Sequence, residues 1–208
     1  MVEKNLISII IHWTPELLKG LYNNVLISTT SMVIGTVAGL FVVVLKKHSN
    51  ILIKSTGNGF TNLVRNVPSF VLLFYLAFIL PSSFTFGESE IIITPSFKTI
   101  VALTFPVIGF TSDAVIGFMR TRDEQDINPY VVFWSGWSRY FVIVLMASST
   151  ASVIGVNEVV AKTNLLIAAV NNPNYTLLIY FYTSLIFLAT GLLISTVSNV
   201  LIYLFVKE

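Results

Sequence analysis

Cysteine is absent from the 208 residues. That excludes disulfide staples, thiol nucleophiles and thiolate metal sites, and it leaves the redox compartment open. Charge is scarce as well, at 11% of residues against roughly 25% in soluble domains. The 12 basic and 10 acidic residues leave a net charge of +2, far from the basic surplus that would grip a phosphate backbone, so no nucleic-acid partner is expected. Histidine occurs only at His12 and His48, at opposite expected faces, which assembles neither a metal pair nor a Ser/His/Asp set. No GxxxxGK[ST] loop occurs, so the chain does not hydrolyse ATP by that route. Neither enzymatic activity nor a cofactor is expected.

What is present is apolar. The chain is 55% hydrophobic with 16 Phe and a mean hydropathy of +0.84, the make-up of an integral membrane protein. At roughly 20 residues per crossing, this length holds five or six helical spans and no separate soluble domain. The apolar runs place spans at about 24–45, 63–80, 97–119, 130–154 and 176–206. The whole of 1–208 reads as one all-α transmembrane domain.

Ahead of the first span, in the segment 3–22, residues 5–13 (NLISIIIHW) resemble the apolar core of a signal peptide only superficially. Thr14-Pro15-Glu16 follows the apolar core and no small-x-small cleavage site is present, so the segment reads as an interfacial helix with Trp13 and Tyr22 at headgroup level. The second span is short, because Val67 to Leu80 is apolar for only 14 residues before Pro81. It crosses if its helix starts before Arg65 or if protein surrounds its polar end. Pro129 suits the first turn of the fourth span. These spans put Lys46, Lys47, Lys54, Arg65, Arg120, Arg122, Arg139 and Lys207 on one side, and Lys4, Lys19, Lys98 and Lys162 on the other. Eight against four makes the first side cytosolic, with the N-terminus outside and the C-terminus inside.

Polar groups at membrane depth are the candidate functional residues. Asp113 is the only acid inside a clear span, so it either faces a partner or wet cavity as a site, or is protonated or bonded to Thr111, Ser112 or another helix. Ala147 to Ser152 (ASSTAS) gathers Ser148, Ser149, Thr150 and Ser152 on an apolar helix, which suits close packing or the wall of a polar pathway. Gly35 and Gly39 have the small-xxx-small spacing that brings two helix backbones together, although glycine is also frequent in membrane helices. Tyr180 and Tyr182 suit interfacial anchors. The stretch Arg120 to Asp126 (RTRDEQD) holds five charges in seven residues.

The run ASVIGVNEV, Ala151 to Val159, resembles a stretch found in membrane subunits of polar amino-acid ABC importers. LLKGLYNNVLIS (Leu17 to Ser28) is similar to that family's opening of the first span. RNVPSFVLLFYLAFILP (Arg65 to Pro81) is similar to its R-x-T/V-P motif and the following helix. These matches cover most of residues 17–206. The resemblance implies an ABC importer permease-like bundle of five spans in the bacterial inner membrane, with the N-terminus outside. It also implies partners: a second permease subunit, cytosolic ABC ATPase subunits, and an extracytoplasmic binding protein that delivers an amino-acid substrate. ATP binding would swing the helices from inward-facing to outward-facing through a cytosolic coupling helix carrying an EAA motif. Asp113, Ser148, Ser149, Thr150 and Ser152 would line the substrate pathway, and Arg120, Arg122, Asp123, Glu124 and Asp126 would form the coupling loop.

The chain departs from that family at several points. Only eight residues separate Arg120 from Pro129, where the family has about thirty, and no EAA followed by Gly is present. Aligning GWSRY (Gly136 to Tyr140) on the segment after EAA instead puts Tyr130-Val131-Val132 on the motif and leaves too few residues for the fourth span. The acid that usually accompanies the hydroxyl run is missing at Ser148-Ser149-Thr150. The family's third-span Glu falls at Gly117, with Asp113 one turn earlier on the same face. Two readings follow. One is a transport subunit whose partner permease carries the main coupling helix; the other is a permease-derived structural or regulatory protein no longer coupled to ATP.

Overall fold

The computed structural model of the chain describes residues 6–86, 89–124 and 128–206. Asp126, Lys4 and Lys207 lie outside them, and Glu124 is described in its backbone alone. Among the described residues the chain is helical apart from one hairpin and short connections. α1 (Leu6–Lys46) leads through a short turn to α2 (Ile51–Asn66) and α3 (Ser69–Ile79). A hairpin of β1 (Ser83–Phe86) and β2 (Ser89–Ile92) follows, antiparallel with Phe84 opposite Ile91. Then come α4 (Pro95–Glu124), α5 (Pro129–Ser148), a 3-10 turn at Ser149–Ile154, α6 (Val159–Val170) and α7 (Thr176–Val206). Among the described residues four helices are long and apolar enough to cross a membrane, and α2 with α3 forms a bent pair that could supply a fifth crossing.

The interfacial helix expected over 3–22 does not stand apart from the first span. From Leu6 onward the two are one helix of 41 residues, about 61 Å long, twice the thickness of a hydrocarbon core. The cause is packing. Leu17 is fully buried with Val159, Leu166 and Ile179, and Trp13 packs on the same cluster. At Gly20 an added Cβ would lie 2.7 Å from Val159 Cα, so only glycine admits the start of α6 there. Glu16 also pairs with Lys162 on α6 at 3.1 Å. One side of this segment, with Trp13, Leu17 and Gly20, meets protein, while Ile11, Leu18 and Tyr22 stay exposed.

The second span, expected at 63–80, is broken. α2 and α3 meet at 95°, because the residue before a proline is driven out of the helical region: Val67 is extended at φ −85°, ψ 120° ahead of Pro68. α2 lies against the end of α1 and the middle of α4. Its Gly57 sits on Leu45 and Lys46, and its Val64 and Arg65 sit on Gly109. α3 has 11 residues, about 16 Å, and its C-terminal carbonyls at Ala77 and Leu80 accept from the buried Lys98 Nζ of α4 at 2.9 and 2.7 Å.

The fourth span, Pro129–Ile154, changes helix type near its end. α5 starts as Pro129 indicates, capped by Asn128 accepting from the Tyr130 amide, but it tightens after Ser148. Ser148, Ser149, Thr150 and Ser152 each donate to the carbonyl three residues back, and such local bonds compete with the α-helical ladder. Gly155 closes the turn at φ 89°, a conformation that favours glycine.

α1 and α4 run parallel. Ser31 Oγ donates to Ile100 O at 3.2 Å, Gly35 faces Val107, and Gly39 faces Thr111. α5 returns antiparallel along α4, with Tyr140 stacked on Phe110 at 4.0 Å between ring centroids. α7 returns along α5, where Gly191 meets Val142 and Ser198 bonds Ser138. α6 fills the space between the first half of α1 and α7, joined to α7 by Thr163 and Thr183 at 2.8 Å. Tyr182 reaches Thr14 of α1 and Tyr180 reaches Asn164 of α6, so both phenols tie helices together.

Candidate functional site

Two polar nodes sit at different levels of α1. The first forms around Asn24, which is fully buried, as are Ser148 and Glu158. Asn24 Nδ2 donates to Ser148 Oγ at 2.9 Å and to Glu158 Oε2 at 3.1 Å, while its Oδ1 accepts from the Val159 amide at 3.1 Å. Glu158 caps α6 by accepting from the amides of Val160 at 3.0 Å and Ala161 at 2.8 Å, two of the four amides that a helix start leaves without partners. Burial pushes its carboxyl up from the ordinary range, while the amide, Asn24 and Ser152 bonds pull it back down. Next to it, Asn23 Nδ2 donates to Asn157 O at 2.7 Å. A cleft of about 360 Å³ opens beside this node between α1, the start of α4 and the Gly155–Asn157 turn, with Asn23, Ser96, Ile100 and Asn157 in its wall.

The second node joins three helices. Asp113 of α4 pairs with Lys46 of α1 at 3.0 Å and with Arg65 of α2 at 3.4 Å. Lys46 is 7% exposed, so the carboxylate is what makes burial of that cation tolerable. Asn24 and Lys46 are 22 residues apart on one continuous helix, about 33 Å, close to the thickness of a hydrocarbon core. Asp113 and the hydroxyl run therefore occupy opposite ends of a crossing. Any path between them would meet one and then the other. Beside Asp113, Thr111 Oγ1 and Ser112 Oγ are buried without a partner among the described residues.

Beyond Asp113, α4 continues for eleven residues to Glu124, about 16 Å. α5 begins at Pro129, leaving four residues between the two helices. Arg120, Arg122 and Asp123 are exposed near the tip of this hairpin. Phe118 packs edge-on against Tyr130 and Phe133, so aromatic contacts hold the two arms together. Among the described residues no group of three His, Asp or Glu side chains gathers as a metal site.

No family model and no curated protein matches the chain. Solved structures do. The chain is similar to an amino acid ABC transporter crystallised with histidines, at a TM-score of 0.77 and 16% identity over 96% of this chain and 98% of that one. It is also similar to the methionine ABC transporter MetNI in an inward-facing conformation, at 0.62 and 15% over 90% and 94%. The fold is that of ABC importer transmembrane subunits. In this permease fold the chain is a multi-pass membrane protein.

Within the permease fold, the hydroxyls at 148–152 act first on the backbone, and two of them also reach beyond their own turn, Ser148 to Asn24 of α1 and Ser152 to the α6 cap Glu158. Gly35 and Gly39 lie at the α1–α4 contact, where added Cβ atoms would come within 2.5 Å of Val107 and 2.7 Å of Thr111. Sequence reasoning did not single out Asn24 or Glu158 as a pair. Their signal was two stretches, LYNNVLIS and GVNEVV, each with polar side chains set into apolar runs and meeting only in the folded chain.

Proposed function

We propose that the chain is the transmembrane subunit of an ATP-driven importer of polar amino acids. It would form the substrate pathway with a second permease subunit, above cytosolic ABC ATPases, and receive substrate from an extracytoplasmic binding protein. The observation that carries this reading is the node at Asn24 and Glu158. It is built from LLKGLYNNVLIS and ASVIGVNEV, the two stretches that resemble polar amino-acid permeases, and it lies on a fold shared with an amino acid transporter.

In this reading the cleft beside Asn23 and Asn157 is the extracytoplasmic mouth, and the Lys46, Arg65 and Asp113 node marks the cytosolic boundary. The α4–α5 hairpin then projects past that boundary with Arg120, Arg122 and Asp123 exposed near its tip. It takes the place of a separate transverse coupling helix and offers the ATPase an exposed set of charges, each pair worth about 1 kcal/mol or less. Such a weak grip suits an asymmetric pair in which the partner permease holds the ATPases more firmly. Purification of the tagged chain from its native membrane in gentle detergent, with mass spectrometry of what travels with it, tests this. An ABC ATPase together with a second permease is the expected result. Recovery without any ATPase would overturn the coupled importer.

A further inference from the structure

The seam between α5 and α7 holds a cleft of about 230 Å³ lined by Ser135, Ser138, Arg139, Ser195, Ser198 and Asn199, with Gly191 opening space beside Val142. Ser138 and Ser198 bond each other across the seam, and Ser138 also donates to Trp134 O, so they form a satisfied floor. The other four differ. Arg139, Ser135, Ser195 and Asn199 have no hydrogen-bond or ion-pair partner among the described residues. Many hydroxyls elsewhere in the spanning helices close onto their own backbone, as at Thr99, Thr104, Thr183, Ser184, Thr190 and Thr196, and the unpartnered Thr111 and Ser112 are buried. A polar side chain facing lipid without a partner is costly, and an arginine most of all.

Its depth is fixed by neighbours. Tyr140, next to Arg139, stacks on Phe110, less than one turn from Asp113. Arg139 thus lies level with Lys46, Arg65 and Asp113, where the chain gathers its charges at one edge of the hydrocarbon core. Asp113 already serves Lys46 and Arg65, so Arg139 has no counter-ion from it. The window of α7 that spans is only 6% buried, so the seam opens on the outer face of the bundle.

A guanidinium, an amide and two hydroxyls converging at headgroup depth all offer donors. The guanidinium fork matches the oxygens of a phosphate. We propose that the α5–α7 cleft binds the phosphate of a membrane-lipid headgroup, with Arg139 as the fork and Ser135, Ser195 and Asn199 as supporting donors. The proposal needs the chain to span the membrane with this seam turned to lipid, so within the proposed importer the second permease subunit packs elsewhere on the bundle.

The test is native mass spectrometry of the full-length chain, delipidated in detergent and titrated with phosphatidylglycerol, with diacylglycerol of the same acyl chains, and with inorganic phosphate. Wild type is expected to retain phosphatidylglycerol and not diacylglycerol. Arg139→Gln is expected to bind the phospholipid about tenfold or more weakly, while Lys54→Gln, an equal loss of charge on α2, binds as wild type does. Should Arg139→Gln aggregate, the double variant Ser195→Ala and Asn199→Ala carries the test, with a several-fold loss expected. Equal retention by wild type and the cleft variants overturns the site. Displacement of the lipid by inorganic phosphate at equal affinity also overturns it, assigning the cleft to a free anion.

Discussion

Asn24 uses both ends of its amide, donating to Ser148 and Glu158 and accepting from the Val159 amide. Its partner Glu158 is therefore a cap and a strut at once. Glu158→Ala leaves the Val160 and Ala161 amides and the Asn24 side chain without that acceptor, at about 1–3 kcal/mol for each buried group left unsatisfied. Glu158→Gln keeps an acceptor oxygen. Thermal unfolding in detergent should rank wild type above Gln and Gln well above Ala; an Ala variant as stable as wild type would mean that water replaces the carboxylate. Asp113 makes a different test possible, because one residue is asked to be both a pathway group and a counter-ion. Asp113→Asn strands the buried Lys46, so the single variant should lose stability on the order of 1–3 kcal/mol. Pairing it with Lys46→Met should restore most of that loss. If uptake stays lost in the restored double variant, the carboxylate has a role in the pathway beyond neutralising Lys46; if uptake returns, it has none.

Helices were legible where lipid imposes its own rule. A run of about 20 apolar residues is a strong signal, and the long helices α1, α4 and α7 follow from it. α3 with 11 residues and α6 with 12 are too short to carry that signal. α6 exists because α1 and α7 bury Val159, Thr163 and Leu166. The same neighbours turn Trp13 and Leu17 from a lipid-facing surface into a packed one, which no periodicity in α1 alone can reveal. The break at Val67-Pro68 was visible as a proline but not as a right angle, since its direction is set by α2 lying on Lys46 and Gly109. The α1–α4 contact is the element on which the rest depends. Gly35→Ile forces branched carbon into the space held by Val107 and should cost about 1–3 kcal/mol as overpacking, with lower yield in the membrane. Gly59→Ala, on α2 with open space around it, should be neutral or stabilising by up to about 1 kcal/mol. Equal outcomes for the two would mean that α1 and α4 do not meet closely in the membrane.

At the scale of the whole molecule, sidedness decides which end of the bundle can meet an ATPase. Basic residues cluster at the Lys46, Arg65 and Arg139 level and on the hairpin beyond it, while the β1–β2 hairpin and the Asn24 node lie at the other end. By the positive-inside rule the α4–α5 tip is expected to face the cytosol. The lack of cysteine makes this directly testable, because a single introduced thiol is the only one in the chain. Ser89→Cys in β2 and Arg122→Cys near the end of α4 both replace exposed residues. A membrane-impermeant maleimide should label Ser89→Cys in cells whose inner membrane is intact and accessible from outside, and Arg122→Cys only in inverted vesicles. The opposite pattern would put the hairpin outside, away from any cytosolic ATPase, and would count against the proposed importer. Labelling of Arg122→Cys in inverted vesicles that weakens when ABC ATPase is added back would go further, since protection at that position requires the partner to sit on the tip itself.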